Sequence, residues 1–320
     1  MNVGVSFPED RMQYWMRRLK ETFSPFSGSV SLVPCADLAA LESVNPEIVV
    51  GQESSDLIRY LSSRPPALRW VQFLSAGLDK TLQALGEGGV AFKITNMRGI
   101  HSSAMAEYFL AVALYFEKNL DHFVAAQGAR EWSRLPLAQM RRKRLLVCGA
   151  GAIGQGVAAA FCAMGGRADA VARTPEAREP FGETFSLSAL ENIAGEYDYI
   201  FCALPLTEET RQAFNARVFR AMRKGAIFVN IARGDLVDEQ ALIEVLKTGH
   251  LRGAALDVFT IEPLPAGSPL WSTPRLLITP HVSGLFAEGH DLGLDLVFRN
   301  MSAFIEKRPL ESEVFPDRGY

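Results

Sequence analysis

Three polar residues in the second half of the chain, Arg233, Glu262 and His281, each follow an apolar run with the composition of a buried strand. A guanidinium binds a carboxylate through two parallel hydrogen bonds, and a histidine exchanges protons near neutral pH. A carboxylate beside a histidine orients the imidazole and favours its protonated form. The three residue types together suit proton transfer to a small anionic substrate. The apolar runs are, in order, 226–231, 253–258 and 276–280.

A glycine-rich segment, Gly149-Ala150-Gly151-Ala152-Ile153-Gly154, follows another apolar run and precedes a helical pattern over 155–164. In this strand–turn–helix context the spacing predicts a dinucleotide cradle. Gly149 permits the tight turn, Gly151 lets a pyrophosphate approach the backbone, and Gly154 permits close packing of helix on strand. The helix N-terminus favours the phosphate charge. A cradle followed by a cation, a carboxylate and a histidine predicts hydride transfer to a 2-keto acid.

The end of the next strand distinguishes NAD from NADP. An acidic residue about 20 residues after the glycines would hold the ribose 2′-hydroxyl of NAD. Asp169 lies at the wrong end of that strand, which closes with Arg173 and Thr174. An arginine there can bind a 2′-phosphate, and the threonine hydroxyl can add a donor. We predict a preference for NADP(H), with NAD(H) as the alternative and a solvated surface arginine as the competing interpretation.

Composition excludes several other classes of protein. The chain has 320 residues, 48% of them hydrophobic, which is long enough for two domains. A net charge of −3, with one short basic cluster at 141–144 that we interpret as a solvated connection, does not favour nucleic acid or a membrane surface as a partner. The four cysteines lack CxxC spacing, so reduced thiols are expected and no metal site. Neither a signal peptide nor a membrane span is evident, which predicts a cytoplasmic protein.

Strands and helices alternate along the chain, which is typical of parallel, doubly wound sheets. One long helix is predicted from about 101 to 127. It is apolar on nearly every face, so it must be buried in a domain or subunit interface, and we infer a dimer. Strands are predicted at 3–7, 48–51, 68–73, 91–94, 145–148, 169–172, 199–203, 226–230, 253–256 and 276–278, and further helices at 11–23, 54–63, 81–85 and 287–304.

The predicted fold class is α/β, with a Rossmann cofactor domain inserted in a flavodoxin-like substrate domain. The dinucleotide-binding domain is expected at 99–287. The substrate-binding domain is expected to be discontinuous, formed by 1–98 and 288–320, because the last amphipathic helix returns to it.

A series of motifs resembles those of the D-isomer-specific 2-hydroxyacid dehydrogenases. The strand end at Arg173 and the final Arg318-Gly319-Tyr320 are most similar to the glyoxylate/hydroxypyruvate reductase branch. The motifs, in family order, are SAGLD at 75–79, AE at 106–107, GAGAIG at 149–154, LPLT at 204–207, NIARGDLVD at 230–238, ALDVFTIEP at 255–263 and TPHVSG at 279–284.

The resemblance implies NAD(P)H-dependent reduction of a small 2-keto acid to the D-2-hydroxy acid by a homodimer joined through the cofactor domain. Arg233 would hold the substrate, His281 would supply the proton and Glu262 would orient His281. Substrate would also contact Leu74, Ser75, Ala76 and Gly77. The implied cofactor residues, among which Asp257 would hold the nicotinamide carboxamide, are Met105, Gly149, Gly151, Ala152, Ile153, Gly154, Arg173, Thr174, Leu204, Pro205, Thr210, Ile231, Ala232, Asp257, Ser283 and Gly284.

Two alternatives stay open. The first is a nucleotide-sensing binding protein, like the transcriptional corepressors that share this fold. The second keeps the hydride chemistry but acts on formate or phosphite. The loop at Ser75–Gly77 together with Arg233 favours a 2-keto acid over the second alternative.

Overall fold

The computed structural model describes residues 1–86 and 89–315, so the final Arg318-Gly319-Tyr320 motif lies outside the described residues. The chain divides into two compact units, one formed by Met1–His101 with Phe286–Tyr320 and the other by Ser102–Leu285. Each unit contains one parallel sheet with helices between its strands, which confirms the predicted α/β class.

The first unit contains a five-stranded parallel sheet in the order β2-β1-β3-β4-β5, which is the flavodoxin-like order. The sequence analysis missed β2, a short edge strand that ends in proline, and the helix α2 that follows it. The strands are β1 Asn2–Ser6, β2 Ser31–Pro34, β3 Ile48–Gly51, β4 Trp70–Phe73 and β5 Lys93–Thr95. The helices are α1 Glu9–Thr22, α2 Leu38–Val44, α3 Ser55–Ser62, α4 Asp79–Leu85 and, at the end of the chain, α11 Gly289–Ile305.

A buried polar network joins the last helix to this sheet. Asn300 of α11 donates through Nδ2 to Gln72 Oε1 in β4 at 2.9 Å, and the Thr95 hydroxyl donates to the same oxygen at 2.8 Å. Asn300 Oδ1 accepts from the Glu311 backbone N–H at 2.7 Å. Gln72, Thr95 and Asn300 are fully buried. The network therefore fixes both α11 and the segment after it on β4 and β5.

The second unit contains a seven-stranded parallel sheet in the order β12-β11-β10-β9-β6-β7-β8. The order in which successive strands join the sheet reverses between β6 and β9, as in a Rossmann fold. Ligands bind at the carboxyl ends of the strands beside such a switch point. The six strands expected here are present, and the two-residue β8 was not expected. The strands are β6 Arg144–Cys148, β7 Arg167–Val171, β8 Thr184–Phe185, β9 Tyr199–Cys202, β10 Ile227–Asn230, β11 Gly253–Leu256 and β12 Leu276–Ile278. The helices are α5 Ser102–Glu117, α6 Leu120–Ala129, α7 Ala152–Ala163, α8 Leu190–Ile193, α9 Ala216–Ala221 and α10 Glu239–Lys247.

The prediction of a single helix from 101 to 127 is wrong, because the chain breaks between α5 and α6. Asn119 adopts a left-handed conformation there, with φ of 50°. Arg252 donates to Asn119 Oδ1 at 2.7 Å and to the Phe116 carbonyl at 3.2 Å. The same guanidinium pairs with Asp121 through two hydrogen bonds of 2.9 and 2.8 Å. An arginine that is distant in sequence thus holds the break in place.

Helix α5 is nevertheless a core element of the second unit. Phe109 is fully buried, and its ring lies 5.3 to 6.1 Å from those of Phe161, Tyr199 and Phe201. The helix packs against α7, whose first residues are the last three of the predicted cradle. Among the described residues, no helix is both long and apolar enough to cross a membrane.

Candidate active site

The three residues predicted to be catalytic follow three neighbouring strands. Strands β10, β11 and β12 pair in parallel, so that Asn230, Leu256 and Ile278 lie side by side at their carboxyl ends. Arg233 and His281 each lie three residues beyond a strand end, and the Glu262 loop lies between theirs in the sheet order. All three loops therefore lie at the carboxyl ends of neighbouring strands in the second unit.

The imidazole of His281 and the carboxylate of Glu262 are in direct contact. His281 Nδ1 lies 2.8 Å from Glu262 Oε2, while Glu262 Oε1 accepts from the Phe259 backbone N–H at 2.9 Å. The carboxylate is therefore held from two sides. Because Nδ1 contacts Glu262, Nε2 is the ring nitrogen that can face a substrate oxygen. The His281 side chain is 53% exposed, so the ring is accessible.

The Arg233 loop lies directly against the Glu262 loop. A Cβ added at Gly234 would lie 1.9 Å from the Phe259 carbonyl carbon. Fully buried Asn230 fixes the turn, since its Nδ2 donates to the Arg233 carbonyl at 2.9 Å and its Oδ1 accepts from Ala232 N–H at 3.0 Å. The sequence analysis did not single out Asn230, although a polar residue that closes an apolar strand was a visible signal.

Asp257 organises the His281 loop from a fully buried position at the end of β11. Its Oδ1 accepts from the Thr279 hydroxyl at 2.5 Å and from Val282 N–H at 2.9 Å, and its Oδ2 accepts from Ser283 N–H at 2.9 Å. The His281 N–H donates to the Asp257 carbonyl at 2.8 Å. The resemblance implied only a cofactor contact for Asp257, and the structure shows a loop-holding role in addition.

The glycine-rich turn has the geometry of a phosphate cradle. Gly149 has φ of 117°, and a Cβ there would lie 2.3 Å from the Ala203 carbonyl oxygen. A Cβ at Gly154 would lie 2.0 Å from the Gly149 carbonyl oxygen. A Cβ at Gly151 would meet no atom within 4 Å. The fold itself therefore requires Gly149 and Gly154, whereas the open space at Gly151 fits the approach of a pyrophosphate.

Arg173 and Thr174 lie exposed just beyond the end of β7, the strand beside β6. Asp169 has other partners: its carboxylate accepts from the Tyr197 hydroxyl at 3.0 Å and from Glu183 N–H at 2.9 Å. Asp169 is therefore committed to internal contacts, and Arg173 and Thr174 are the polar residues that follow the strand.

The remaining predicted cofactor residues all lie in the second unit. Leu204, Ile231, Ala232 and Ser283 are buried, Met105, Ile153 and Gly284 are partly buried, and Ala152 and Pro205 are exposed. Buried Thr210 holds the loop after β9, because its hydroxyl donates to the Pro205 carbonyl at 2.7 Å.

The predicted substrate loop Leu74–Gly77 follows β4 in the first unit, and each of its residues is partly buried. The Ser75 carbonyl accepts from Met97 N–H at 3.0 Å, and the Ala76 carbonyl accepts from Asn96 Nδ2 at 2.6 Å. Asn96 is 6% exposed and also accepts from Arg98 N–H at 3.1 Å. The sequence analysis missed Asn96, which holds the backbone of this loop.

Comparison with known proteins identifies the family. Residues 110–283 match the NAD-binding domain of the D-isomer specific 2-hydroxyacid dehydrogenases. The chain belongs to this family. A glyoxylate reductase of Thermococcus kodakarensis is 33% identical over 254 residues, which cover 75% of this chain and 74% of the relative. Members of this family are nicotinamide-dependent oxidoreductases, and the present dehydrogenase carries their cradle.

Two solved structures of the family resemble this dehydrogenase over almost its whole length. A D-isomer specific 2-hydroxyacid dehydrogenase from Xanthobacter autotrophicus, in complex with NADPH, is 28% identical, with 99% of both chains covered and a TM-score of 0.83. An NADPH-dependent glyoxylate/hydroxypyruvate reductase from Sinorhizobium meliloti, in complex with NADP and sulfate, is 25% identical. The match covers 100% of this chain and 99% of that one, with a TM-score of 0.82.

Proposed function

We propose that this protein reduces a small 2-keto acid of the glyoxylate or hydroxypyruvate type to the D-2-hydroxy acid, with NADPH as the preferred reductant. The observation that carries the proposal is the contact of His281 with Glu262 on a loop that abuts the Arg233 loop. A proton donor, its acidic partner and a cation for the substrate thus follow the carboxyl ends of neighbouring strands of a dinucleotide-binding sheet.

Arg233, His281 and Glu262 have separate roles in the proposed reaction. The glycine-rich turn would hold a nicotinamide dinucleotide, which would supply hydride to the carbonyl carbon. Arg233 binds the substrate carboxylate and polarises the carbonyl, and protonated His281 donates through Nε2 to the carbonyl oxygen. Glu262 orients the ring through Nδ1, so that Nε2 can stabilise the charge developing on the oxygen. In the reverse direction, neutral His281 accepts the hydroxyl proton.

A spectrophotometric screen of 2-keto acids with NADPH tests the activity. His281→Ala is expected to lower kcat by about 10²- to 10⁴-fold because positioned proton transfer is lost, while NADPH binding measured by fluorescence is retained. His122→Gln is the control, since His122 lies in α6 and contacts Ser133. Full turnover in the His281→Ala variant would contradict the assigned role.

The proposed NADPH preference rests on Arg173 and Thr174 at the end of β7. Arg173→Gly is expected to lower kcat/KM for NADPH by about tenfold, the loss of one charge-assisted hydrogen bond. The kcat/KM for NADH should stay within about twofold because NADH has no 2′-phosphate. A wild-type enzyme that prefers NADH would overturn this part of the proposal.

We also propose a homodimer formed through the second unit. Helix α6 and the segment after it carry several large apolar side chains in contact with solvent, and an exposed apolar patch of this kind marks an interaction surface. Light scattering should show a dimer for the wild type and a monomer for a Val124→Ser/Trp132→Ser variant. A monomeric wild type would refute the proposal. The exposed fractions are 44% for Leu120, 64% for Val124, 94% for Trp132, 42% for Leu135 and 50% for Leu137.

A further inference from the structure

We propose that Tyr108, a residue outside the catalytic set, positions His281 through a chain of hydrogen bonds that passes through Thr279 and Asp257. The inference rests on the proposed function for its kinetic consequences. The Tyr108 hydroxyl lies 2.7 Å from Thr279 Oγ1, and Thr279 Oγ1 lies 2.5 Å from Asp257 Oδ1. Tyr108 is on α5, whereas Thr279 and Asp257 belong to the loops that follow β12 and β11.

The direction of the chain follows from counting protons. Thr279 has one hydroxyl proton and donates it to the Asp257 carboxylate. The Thr279 oxygen can therefore only accept from Tyr108, so the tyrosine is the donor. Burial raises the pKa of Tyr108 to about 12, and although the bond to Thr279 lowers it, the nearby Asp257 charge raises it further. The phenol consequently keeps its proton throughout the working pH range.

The chain ends on the backbone that carries the catalytic histidine. His281 has φ of 55°, in the left-handed region that side chains with a Cβ disfavour. Asp257 stabilises this turn, because its carbonyl and carboxylate oxygens accept the N–H groups of His281, Val282 and Ser283. Since Thr279 shares Oδ1 with Val282, the orientation of the carboxylate depends on the hydroxyl that Tyr108 fixes.

Helix α5 gives Tyr108 a rigid base. Neighbouring Phe109 is fully buried and packs against aromatic rings of α7 and β9. The Tyr108 hydroxyl therefore links the His281 loop to a helix that is fixed in the core.

Tyr108→Phe removes the donor and keeps the ring. We expect kcat for keto acid reduction to fall about fivefold to tenfold, the effect of one buried hydrogen bond. Tyr115→Phe on the same helix is the matched control and should leave kcat within about twofold. Thr279→Ser keeps the relay hydroxyl and should retain most of kcat, whereas Thr279→Val should lose at least as much as Tyr108→Phe.

The decisive measurement repeats Tyr108→Phe in the His281→Ala background. If Tyr108 acts through His281, the second substitution should change the residual kcat by less than about twofold. An undiminished loss in that background would overturn the proposal, because it would show an effect that does not depend on the histidine.

A readout that does not require turnover separates this inference from the proposed function. The chain has five histidines, so the imidazole signals of ¹⁵N-histidine-labelled protein can be resolved by NMR and that of His281 assigned with His281→Ala. Tyr108→Phe should shift the His281 signals and leave those of the other four in place, and Tyr115→Phe should shift none. Unchanged His281 signals would refute the positioning role even in an active enzyme. A shift in a protein that reduces no keto acid would support it while the proposed substrate class failed.

Discussion

Glu262 uses its two carboxylate oxygens for different purposes. Oε2 contacts His281 Nδ1, and Oε1 accepts from the Phe259 backbone N–H. The contact with His281 affects proton transfer, whereas the contact with the Phe259 N–H fixes the loop. An amide in place of the carboxylate keeps an acceptor for the backbone but removes the negative charge from the contact with the imidazole.

Glu262→Gln is therefore expected to lower kcat for reduction by roughly 10- to 100-fold, the strength of a charge-assisted hydrogen bond. The thermal midpoint should change little. Glu239→Gln is the matched control, since Glu239 accepts from Thr260 N–H at 3.0 Å in the same loop without contacting the histidine. Equal kcat values for the two variants in steady-state assays would argue against the role of Glu262.

Asn96→Ala should separate substrate affinity from cofactor affinity. Without Nδ2, the Ala76 carbonyl loses its 2.6 Å hydrogen bond and Leu74–Gly77, which we propose as the substrate loop, loosens. We expect KM for the keto acid to rise about fivefold to tenfold and KM for NADPH to stay constant. A parallel rise of both KM values would show that Asn96 supports the fold in general.

At the scale of single residues, the sequence indicates polar residues that follow an apolar strand but not residues whose contacts are with distant partners. Arg233, Glu262 and His281 stood out because a charged or titratable residue interrupts an apolar pattern. Asn230 carried the same signal. Asn96 and Tyr108 did not, since the carbonyl that Asn96 holds and the hydroxyl that Tyr108 contacts become neighbours only on folding.

Among the elements, the junction of α5 and α6 depends on one ion pair. Arg252 reaches it from the turn before β11 and binds Asp121 in the first turn of α6. Burial of the Asp121 carboxyl raises its pKa, but the hydrogen bonds and charge of Arg252 outweigh this and hold the pKa below its ordinary value. The pair therefore contributes to stability in a pH-dependent way.

Because the folded pKa of Asp121 is lowered, its contribution is fully present above the unfolded value of about 4 and is lost as pH falls through the folded value. Asp121→Asn should reduce the free energy of unfolding by about 1.5 kcal/mol at pH 7. The difference from wild type should shrink as pH falls below about 4. Urea unfolding at pH 7 and at about pH 3 checks this. Asp56→Asn, in the first turn of α3, is the control for helix-end charge alone and should cost about 0.5 kcal/mol or less.

The same junction shows where prediction of elements from sequence stops. The strands that carry the candidate site were found to within about two residues, since their apolar runs are bounded by glycine or polar residues. The helical spacing of apolar residues continues past Asn119 at Leu120, Phe123 and Val124, so the polar run 117–119 alone does not distinguish a break from a solvent-facing turn. Likewise β8 has two residues, too few to form a pattern, and it exists because β7 offers it an edge.

On the scale of the whole molecule, the first unit is assembled from both ends of the chain. Asn300 joins the two parts, and loss of its fully buried side chain would leave the Glu311 N–H without an acceptor and remove a donor to Gln72 Oε1. Asn300→Ala should therefore destabilise the first unit by about 2 to 4 kcal/mol. In calorimetry, one part of the transition should move to lower temperature, while the rise in midpoint produced by NADPH stays as in wild type. A loss of that NADPH effect would contradict an effect of Asn300 confined to the first unit.

The vacant surroundings of Gly151 offer a practical tool. A methyl group at this position would touch nothing in the protein, so Gly151→Ala should melt like the parent chain and yet obstruct the pyrophosphate. Such a variant would be a correctly folded negative control in titration calorimetry with added nucleotide.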